Sequence, residues 1–438
     1  MKLKNVFVCQ NCNYQTSKWI GKCPDCSKWN TFQEDVVNVG KPDPISKNRH
    51  ILSDSKPVSL TEVEQEHVRI ETGIGELDQI LGGGIVQGSV ILLSGEPGIG
   101  KSTITMQVCG ALGAQGKKVL YVSGEESVNQ IAARAKRLKV DPQNIQLFCE
   151  NNLERIMDVV RSQKPDFIIL DSIQVVQSGD IESLAGSISQ VRFCAEVLTQ
   201  TAKSQNIPLL LIGHVTKEGT LAGPRVLEHL VDAVLHLEGE RFHQMRILRS
   251  NKNRYGSTNE VGVFEMNENG LQEVKNPSKL FLEGRNPDAI GSVITCTIEG
   301  TRPFLVEVQA LTSITAFGYP KRSATGFDLN RLQMIIAVLQ EHGHINLANQ
   351  DIFINVVGGM RIEEPAGDLA VALAIVSSFQ KKPFTAEAVV FGEIGLSGEL
   401  RNVTQHEKRM KESQKLGFDK IMTPKEIKNI QQAIRLKS

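Results

Sequence analysis

At 438 residues the chain exceeds one ordinary domain, and about two to four are expected. With 40% hydrophobic and 22% charged residues its composition is that of a core-forming protein, which excludes a disordered or fibrous one. The 49 Lys and Arg balance 49 Asp and Glu, so bulk basicity makes no case for nucleic acid, and any such binding must use a local patch or a ring of subunits.

The opening MKLKNVFVCQNC has no apolar leader, and no run reaches about 18 uninterrupted apolar residues. The expectation is a cytoplasmic protein without a membrane span. Residues 1–34 carry Cys9, Cys12, Cys23 and Cys26 in the pattern Cys-x2-Cys-x10-Cys-x2-Cys. Each Cys-x-x-Cys turns two thiolates toward one centre, and two such knuckles complete a tetrahedron for Zn²⁺. A segment this short cannot bury enough core to fold alone, so metal ligation would supply its stability. The alternative is a redox dithiol or a pair of disulfides. Trp19 and Trp29, with Lys18, Lys22 and Lys28, read either as contacts for DNA or protein or as packing and solubility. The remaining cysteines, Cys109, Cys149, Cys194 and Cys296, read as inert core thiols. Residues 35–57 are polar, contain proline and lack periodicity, and read as a linker.

A long α/β region follows, expected over 58–272. The apolar run VILLSG at 90–95 leads into GEPGIGKS, which fits the phosphate-binding pattern G-x-x-x-x-G-K-[ST]. The loop comprises Gly95, Glu96, Pro97, Gly98, Ile99, Gly100, Lys101, Ser102 and Thr103. Its backbone N–H groups would face the phosphates of ATP, with Lys101 at the β- and γ-phosphates and Ser102 on Mg²⁺. KVLYVSG near 118–124, FIILDS at 167–172 and PLLLIGH at 208–214 alternate with helical stretches, which indicates a mostly parallel, helix-covered sheet. Glu125 follows one of these strands, where a carboxylate can orient and deprotonate an attacking water; Glu126 comes next, and one of the pair reads as a solvated loop charge, with Glu125 the favoured base. Asp171 ends another, the position of a Mg²⁺-shell aspartate. After about 230 the runs VDAVLHLEGE, HQMRILRSNKN and VGVFEM suggest antiparallel strands closing the domain. In NKNRYG (251–256), Lys252 and Arg254 would share a face. As a solvated charge cluster they do nothing, but presented to a neighbouring subunit they neutralise charge on a γ-phosphate.

A second mixed α/β region is expected over 273–438. It has apolar runs at 291–298 and 303–311, helices at 328–342, 366–379 and 405–416, and a strand at 351–357.

The four-cysteine finger, TGIGELDQILGGGI (72–85) before the phosphate loop, and NKNRYG together resemble the bacterial RadA (Sms) DNA-repair family over essentially the whole chain. Tyr255 stands where that family usually has phenylalanine. The resemblance implies a RecA-like ATPase core with Glu125 as catalytic glutamate and Asp171 as Walker B aspartate. It places His214 where such motors sense the γ-phosphate. The loop 215–225, with Lys217 and Arg225, would then meet the backbone of single-stranded DNA, against the alternative of an ordinary surface loop.

The C-terminal region resembles the proteolytic domain of Lon, of the ribosomal S5 domain 2-like class. Lon proteases use a serine with a lysine base. In EEPAGDLAVALA (363–374) Ala366 falls at the serine, and in GEIGLSGELRNVTQHEKR (392–409) Glu407 falls at the lysine, with Lys408 adjacent. The expectation is a protease fold without protease chemistry, serving ring assembly and DNA binding, with Lys321, Arg322 and Arg361 as DNA contacts. The resemblance implies a DNA-stimulated ATPase of recombination that forms a ring, a hexamer, on single-stranded and branched DNA. It would promote branch migration of strand-exchange products alongside RecA. An ATP-dependent protease and a nucleotide-gated assembly switch are the rival readings.

Overall fold

The computed structural model describes residues 3–9, 12, 14–38, 68–213, 224–239, 244–316, 318–384 and 388–436. They form two units, residues 1–238, 246–258 and 264–273 in one, and 239–245, 259–263 and 274–438 in the other.

In the N-terminal finger, strands β1 (Leu3–Cys9), β2 (Gln15–Thr16) and β3 (Phe32–Asn38) form an antiparallel sheet in the order β2-β1-β3. Leu3 pairs with Asn38 and Cys9 with Phe32. The ladder therefore carries the finger through residues 35–38, which composition alone assigns to the linker. The backbone N–H and C=O groups of β1 need partners over its whole length, and β3 supplies them. Residues 39–57 of that expected linker lie outside the described residues.

The next strands and helices alternate: β4 (Val90–Gly95), α1 (Lys101–Ala114), β5 (Val119–Ser123), α2 (Val128–Arg137), β6 (Ile145–Cys149), α3 (Leu153–Gln163), β7 (Phe167–Asp171), α4 (Ile188–Gln205) and β8 (Leu209–Ile212). Four more strands follow: β9 (Ala233–Glu238), β10 (Met245–Asn253), β11 (Val261–Asn267) and β12 (Gly270–Glu273). The sheet order is β12-β11-β10-β9-β4-β8-β7-β5-β6.

Strands buried on both faces read as continuous apolar runs, and VILLSG is buried throughout. The period of two splits each run between two cores. Ile91, Leu93, Tyr121, Ile169 and Leu210 pack under α1, while Val90, Leu92, Leu120, Ile168 and Leu211 pack with Ile156, Val160, Val191 and Leu198 of α3 and α4. Strand β9 differs from its sequence reading. It runs parallel to β4 and antiparallel to β10, because the connection that brings it into the sheet from β8 includes the short helix Pro224–Glu228. Only from β10 onward does the sheet close in hairpin fashion.

Several helix starts carry ordinary side-chain caps. Asn152 accepts a hydrogen bond from the Arg155 amide at α3, and Ser187 from the Gln190 amide at α4. Helix α1 starts at Gly100 with no side-chain cap, which leaves its first amides for an anion.

The second unit holds a sheet of β13 (Ser292–Glu299), β14 (Arg302–Ile314), β15 (Arg322–Thr325), β16 (Gln350–Val356), β17 (Ala388–Val390) and β18 (Lys420–Met422), ordered β15-β16-β14-β13-β17-β18. Its longer helices are α5 (Leu329–Glu341), α6 (Asp368–Gln380) and α7 (His406–Lys415), with short ones at Pro277–Phe281 and Ile430–Arg435. The alanine-rich α6 is buried from Asp368 through Ser378, as small side chains permit close packing on β13 and β14. Among the described residues no helix is long and apolar enough to cross a membrane.

Candidate functional site

Strands β4, β5 and β7 run parallel, so their C-terminal ends lie on one edge of the sheet, where α/β folds place ligands. That edge brings together the phosphate loop, Glu125 and Asp171. The loop bends through Gly95 (φ +152), Gly98 (φ +80) and Gly100 (φ +120). A Cβ on Gly95 would lie 2.4 Å from the Leu237 carbonyl oxygen, so packing and conformation both demand glycine there. Gly98 has open space around it, so its positive φ alone excludes side chains.

Lys101 is buried at the first turn of α1. Its ammonium donates to the Gly95 and Glu96 carbonyls at 2.8 and 3.0 Å. Burial moves its pKa below the ordinary lysine value, against the opposing pull of Asp171 and Glu125. Asp171 is buried, which raises its pKa, while hydrogen bonds from Tyr121 and Ser102 hold it down. The Ser102 hydroxyl and the Asp171 carboxylate thus meet, an oxygen pair suited to a Mg²⁺ shell.

The two glutamates are used differently. Glu126 pairs with Arg134 of α2, and both groups are largely buried. Glu125 is exposed at the edge and accepts a hydrogen bond from the Ser172 hydroxyl. Of the two, Glu125 keeps the access to solvent that a water-activating base needs. Glu126 is therefore an ion-pair partner, which leaves Glu125 as the candidate base.

Lys252 and Arg254 converge at the other end of the sheet. The Lys252 ammonium donates to the Glu228 and Val231 carbonyls at 2.6 and 2.8 Å. The Arg254 guanidinium pairs with buried Asp232 at 3.1 Å. Asp232 also accepts from Lys203 at 3.0 Å and from the Val90 amide at 3.0 Å, at the start of β4. The phosphate loop begins five residues later, at Gly95. At about 3.3 Å per strand residue this is a separation of roughly 17 Å, so neither cation serves its own chain's phosphates.

Three contributors carried no signal in the sequence. Two are Tyr121, a phenol on a buried strand, and Asp232, an acid at the start of an apolar run. Buried Arg246 donates to the Ile99 carbonyl at 3.0 Å and so fixes the apex of the phosphate loop. His214 and Lys217 lie outside the described residues, and Arg225 falls by its backbone in the helix Pro224–Glu228.

In the finger, the sulfurs of Cys9, Cys12, Cys23 and Cys26 all lie within 4.8 Å of one another. Cys9 to Cys26 is 3.6 Å and Cys12 to Cys23 is 3.4 Å. A Zn²⁺ with bonds of about 2.3 Å to four thiolates needs sulfur separations of about 3.8 Å, so the donor set fits the metal. Burial and the neighbouring thiols push the Cys12 pKa up, a cost that a bound cation relieves.

In the second unit, Ala366 is fully buried in the turn before α6. Glu407 points to solvent and pairs with Lys425 at 3.5 Å, and Lys408 donates to the Thr301 carbonyl at 3.3 Å. The cation that faces the Ala366 turn is Arg409, which grips Glu364 with both terminal nitrogens. Of the three surface cations, Lys321 and Arg361 are exposed, and Arg322 is turned onto the Gln350 and Leu347 carbonyls.

Three family models match parts of the chain: the rubredoxin metal binding domain at residues 7–34, the KaiC ATPase family at 70–148, and subunit ChlI of Mg-chelatase at 308–427. The chain is 49% identical over 424 residues to the DNA repair protein RadA of Listeria monocytogenes, covering 96% of this chain and 92% of that one. It is 48% identical over 425 residues to the Bacillus subtilis protein of that name, covering 97% and 93%. Against that of Streptococcus pyogenes it is 49% identical over 427 residues, again covering 97% and 93%. Among solved structures, a KaiC-like protein from Pyrococcus horikoshii aligns with a TM-score of 0.41 at 20% identity, covering 48% of this chain and all of the other.

Proposed function

The chain belongs to the RadA family of DNA repair proteins, with a zinc ribbon, a RecA-type ATPase core and a ChlI- and Lon-like C-terminal region, and from that premise we propose that it is a DNA-stimulated motor working on recombination intermediates. It binds single-stranded and branched DNA, assembles as a ring of six and promotes branch migration of strand-exchange products made by RecA in the cytoplasm. The finger spans 1–38, the linker 39–57, the ATPase domain 58–272, and a protease-like domain without a catalytic dyad 273–438.

ATP lies on the phosphate loop, with Lys101 at the β- and γ-phosphates and the α1 amides around them. Ser102 and Asp171 would hold Mg²⁺, which when bound would supply neutralisation of phosphate charge. Glu125 orients the attacking water and takes its proton. Lys252 and Arg254 of one subunit reach the γ-phosphate of the next and offset the charge that develops on it. Turnover then moves the loop 215–225, with His214 as sensor and Lys217 and Arg225 on the DNA backbone. Lys321, Arg322 and Arg361 add contacts from the C-terminal region. Cys9, Cys12, Cys23 and Cys26 hold Zn²⁺ in a closed four-thiolate site that is structural.

One observation carries the shared-site reading. Lys252 and Arg254 are fixed together on Asp232 and nearby carbonyls, at the end of β4 remote from the chain's own phosphate loop. The test is the ATPase rate with and without single-stranded DNA. Stimulation supports the motor. A rate indifferent to DNA sinks it and leaves a nucleotide-gated assembly switch.

A further inference from the structure

The finger carries both of the chain's tryptophans, and neither belongs to its core. That core is Cys9, Cys23 and Phe32, with Phe7 and Ile20 packed on it. Trp19 is 54% exposed and Trp29 69% exposed. A small apolar domain gains most of its stability by burying aromatic rings, so two left outside call for another role.

The rings flank one position. A Cβ on Gly21 would lie 3.6 Å from Trp29 and 3.7 Å from Trp19. Lys22 bridges across to Trp29 in antiparallel register and sets its ammonium 5.8 Å from that ring's centroid. The Asn30 amide donates to the Gly21 carbonyl at 2.8 Å, which ties the two ring-bearing segments together. Lys18, Lys22 and Lys28 are all exposed around the rings, and Asp25 is the one carboxylate between residues 18 and 29. Flat π-faces edged by an excess of cations match one ligand chemistry well: unpaired bases on a phosphate backbone. An acidic protein segment would use the lysines but leave the ring faces without stacking partners.

We propose that Trp19 and Trp29 form a base-stacking platform for single-stranded DNA, with Lys18, Lys22 and Lys28 on its phosphates. The proposal rests on the reading of the chain as a DNA-binding protein and names a second contact surface outside the ATPase core. Stacking is tolerant of sequence, so the finger would grip any unpaired strand.

The two tryptophans make the test direct, because all indole emission of the chain comes from this site. Full-length, zinc-loaded protein is titrated with an oligothymidylate of about 30 nucleotides, long enough to cover several contact sites. Fluorescence anisotropy of a labelled oligonucleotide is followed beside tryptophan emission. The expected result is emission lost with the same midpoint as the anisotropy rise, and little loss with a duplex of the same length. In Trp29→Ala, with zinc content checked, affinity for the single strand should fall about 5-fold or more, the equivalent of one lost stacked base. DNA binding with unchanged emission, or with unchanged affinity in both Trp19→Ala and Trp29→Ala, overturns the platform and leaves the motor reading standing. Emission that responds to a protein partner but not to DNA also overturns it. No binding by anisotropy would overturn both readings together.

Discussion

The Tyr121 hydroxyl donates to the Asp171 carboxylate at 2.7 Å, and both residues are buried under the phosphate loop. A carboxylate at this depth is costly to ionise, and the phenol is one of two donors that offset the cost. Outer partners of this kind orient a metal-binding carboxylate. Tyr121→Phe should therefore weaken apparent Mg²⁺ affinity in ATP turnover about 10- to 100-fold while ATP saturation at high Mg²⁺ persists. An unchanged Mg²⁺ titration would show that Asp171 is not in the metal shell.

The same burial makes a statement about stability and pH. Asp171 has a folded pKa above its ordinary carboxyl value, so the folded state holds its proton more tightly than the unfolded state. Stability is then lost as pH rises from the unfolded value through the raised folded one. Asp171→Asn removes that loss and keeps an acceptor for Tyr121. The nucleotide-free variant should melt about 2–4 °C higher for each kcal/mol recovered, while turnover is abolished. A variant that melts lower than the parent at pH 7 contradicts this account.

Glu125 and Glu126 should separate cleanly by substitution. Glu125→Gln should cut turnover about 10²- to 10⁴-fold and leave nucleotide binding intact, as loss of a general base does. Glu126→Gln leaves the guanidinium of Arg134 poorly compensated in a largely buried pair, and should cost about 1–3 kcal/mol of stability in a urea titration. Equal kinetic damage from both changes would mean the two carboxylates share the task.

The position of Lys252 and Arg254 predicts complementation between defective subunits. Arg254→Ala lacks the cation but retains its phosphate loop, and Lys101→Ala the reverse. Each alone should lose most activity, Arg254→Ala by about 10³-fold or more if it acts as a charge-neutralising finger. Mixed in equal amounts, the two should regain turnover above the sum of their separate rates. Absence of recovery, with both variants still assembling, would place the cations outside the site.

What could be read from sequence was what is local. GEPGIGKS carries its own turn, FIILD its own strand and terminal acid, and the paired Cys-x-x-Cys its own geometry. What escaped depends on partners distant in the chain. Arg246 reaches Ile99 across 147 residues, and Tyr121 reaches Asp171 across 50, so neither pair leaves a short-range pattern. The direction of β9 escaped for the same reason, because a single strand's side-chain alternation does not say which neighbour it joins or which way it runs. In the second unit the sequence puts the lysine position at Glu407, with Lys408 adjacent. The three-dimensional neighbour of the Ala366 turn is Arg409, since α7 turns that side chain inward and Glu407 outward.

Arg409 carries the last prediction. It is fully buried in α7, with its guanidinium on Glu364, on the Cys296 and Thr404 carbonyls, and over the Phe391 ring. A guanidinium remains protonated and cannot serve as a base, so the group nearest the Ala366 turn is structural whatever residue stands at 366. Installing a hydroxyl with Ala366→Ser should therefore produce no casein cleavage. Arg409→Met, in contrast, leaves Glu364 without its cation and strips a donor from the buried Cys296 carbonyl. Breaking a buried pair from one side costs about 3–5 kcal/mol, and the urea midpoint should fall accordingly. Replacing Glu364 by leucine in the same chain removes the stranded carboxylate, so Arg409→Met with Glu364→Leu should lose less than the two single changes added together. Casein cleavage by Ala366→Ser, or a neutral Arg409→Met, would show that this corner of the domain retains room for chemistry.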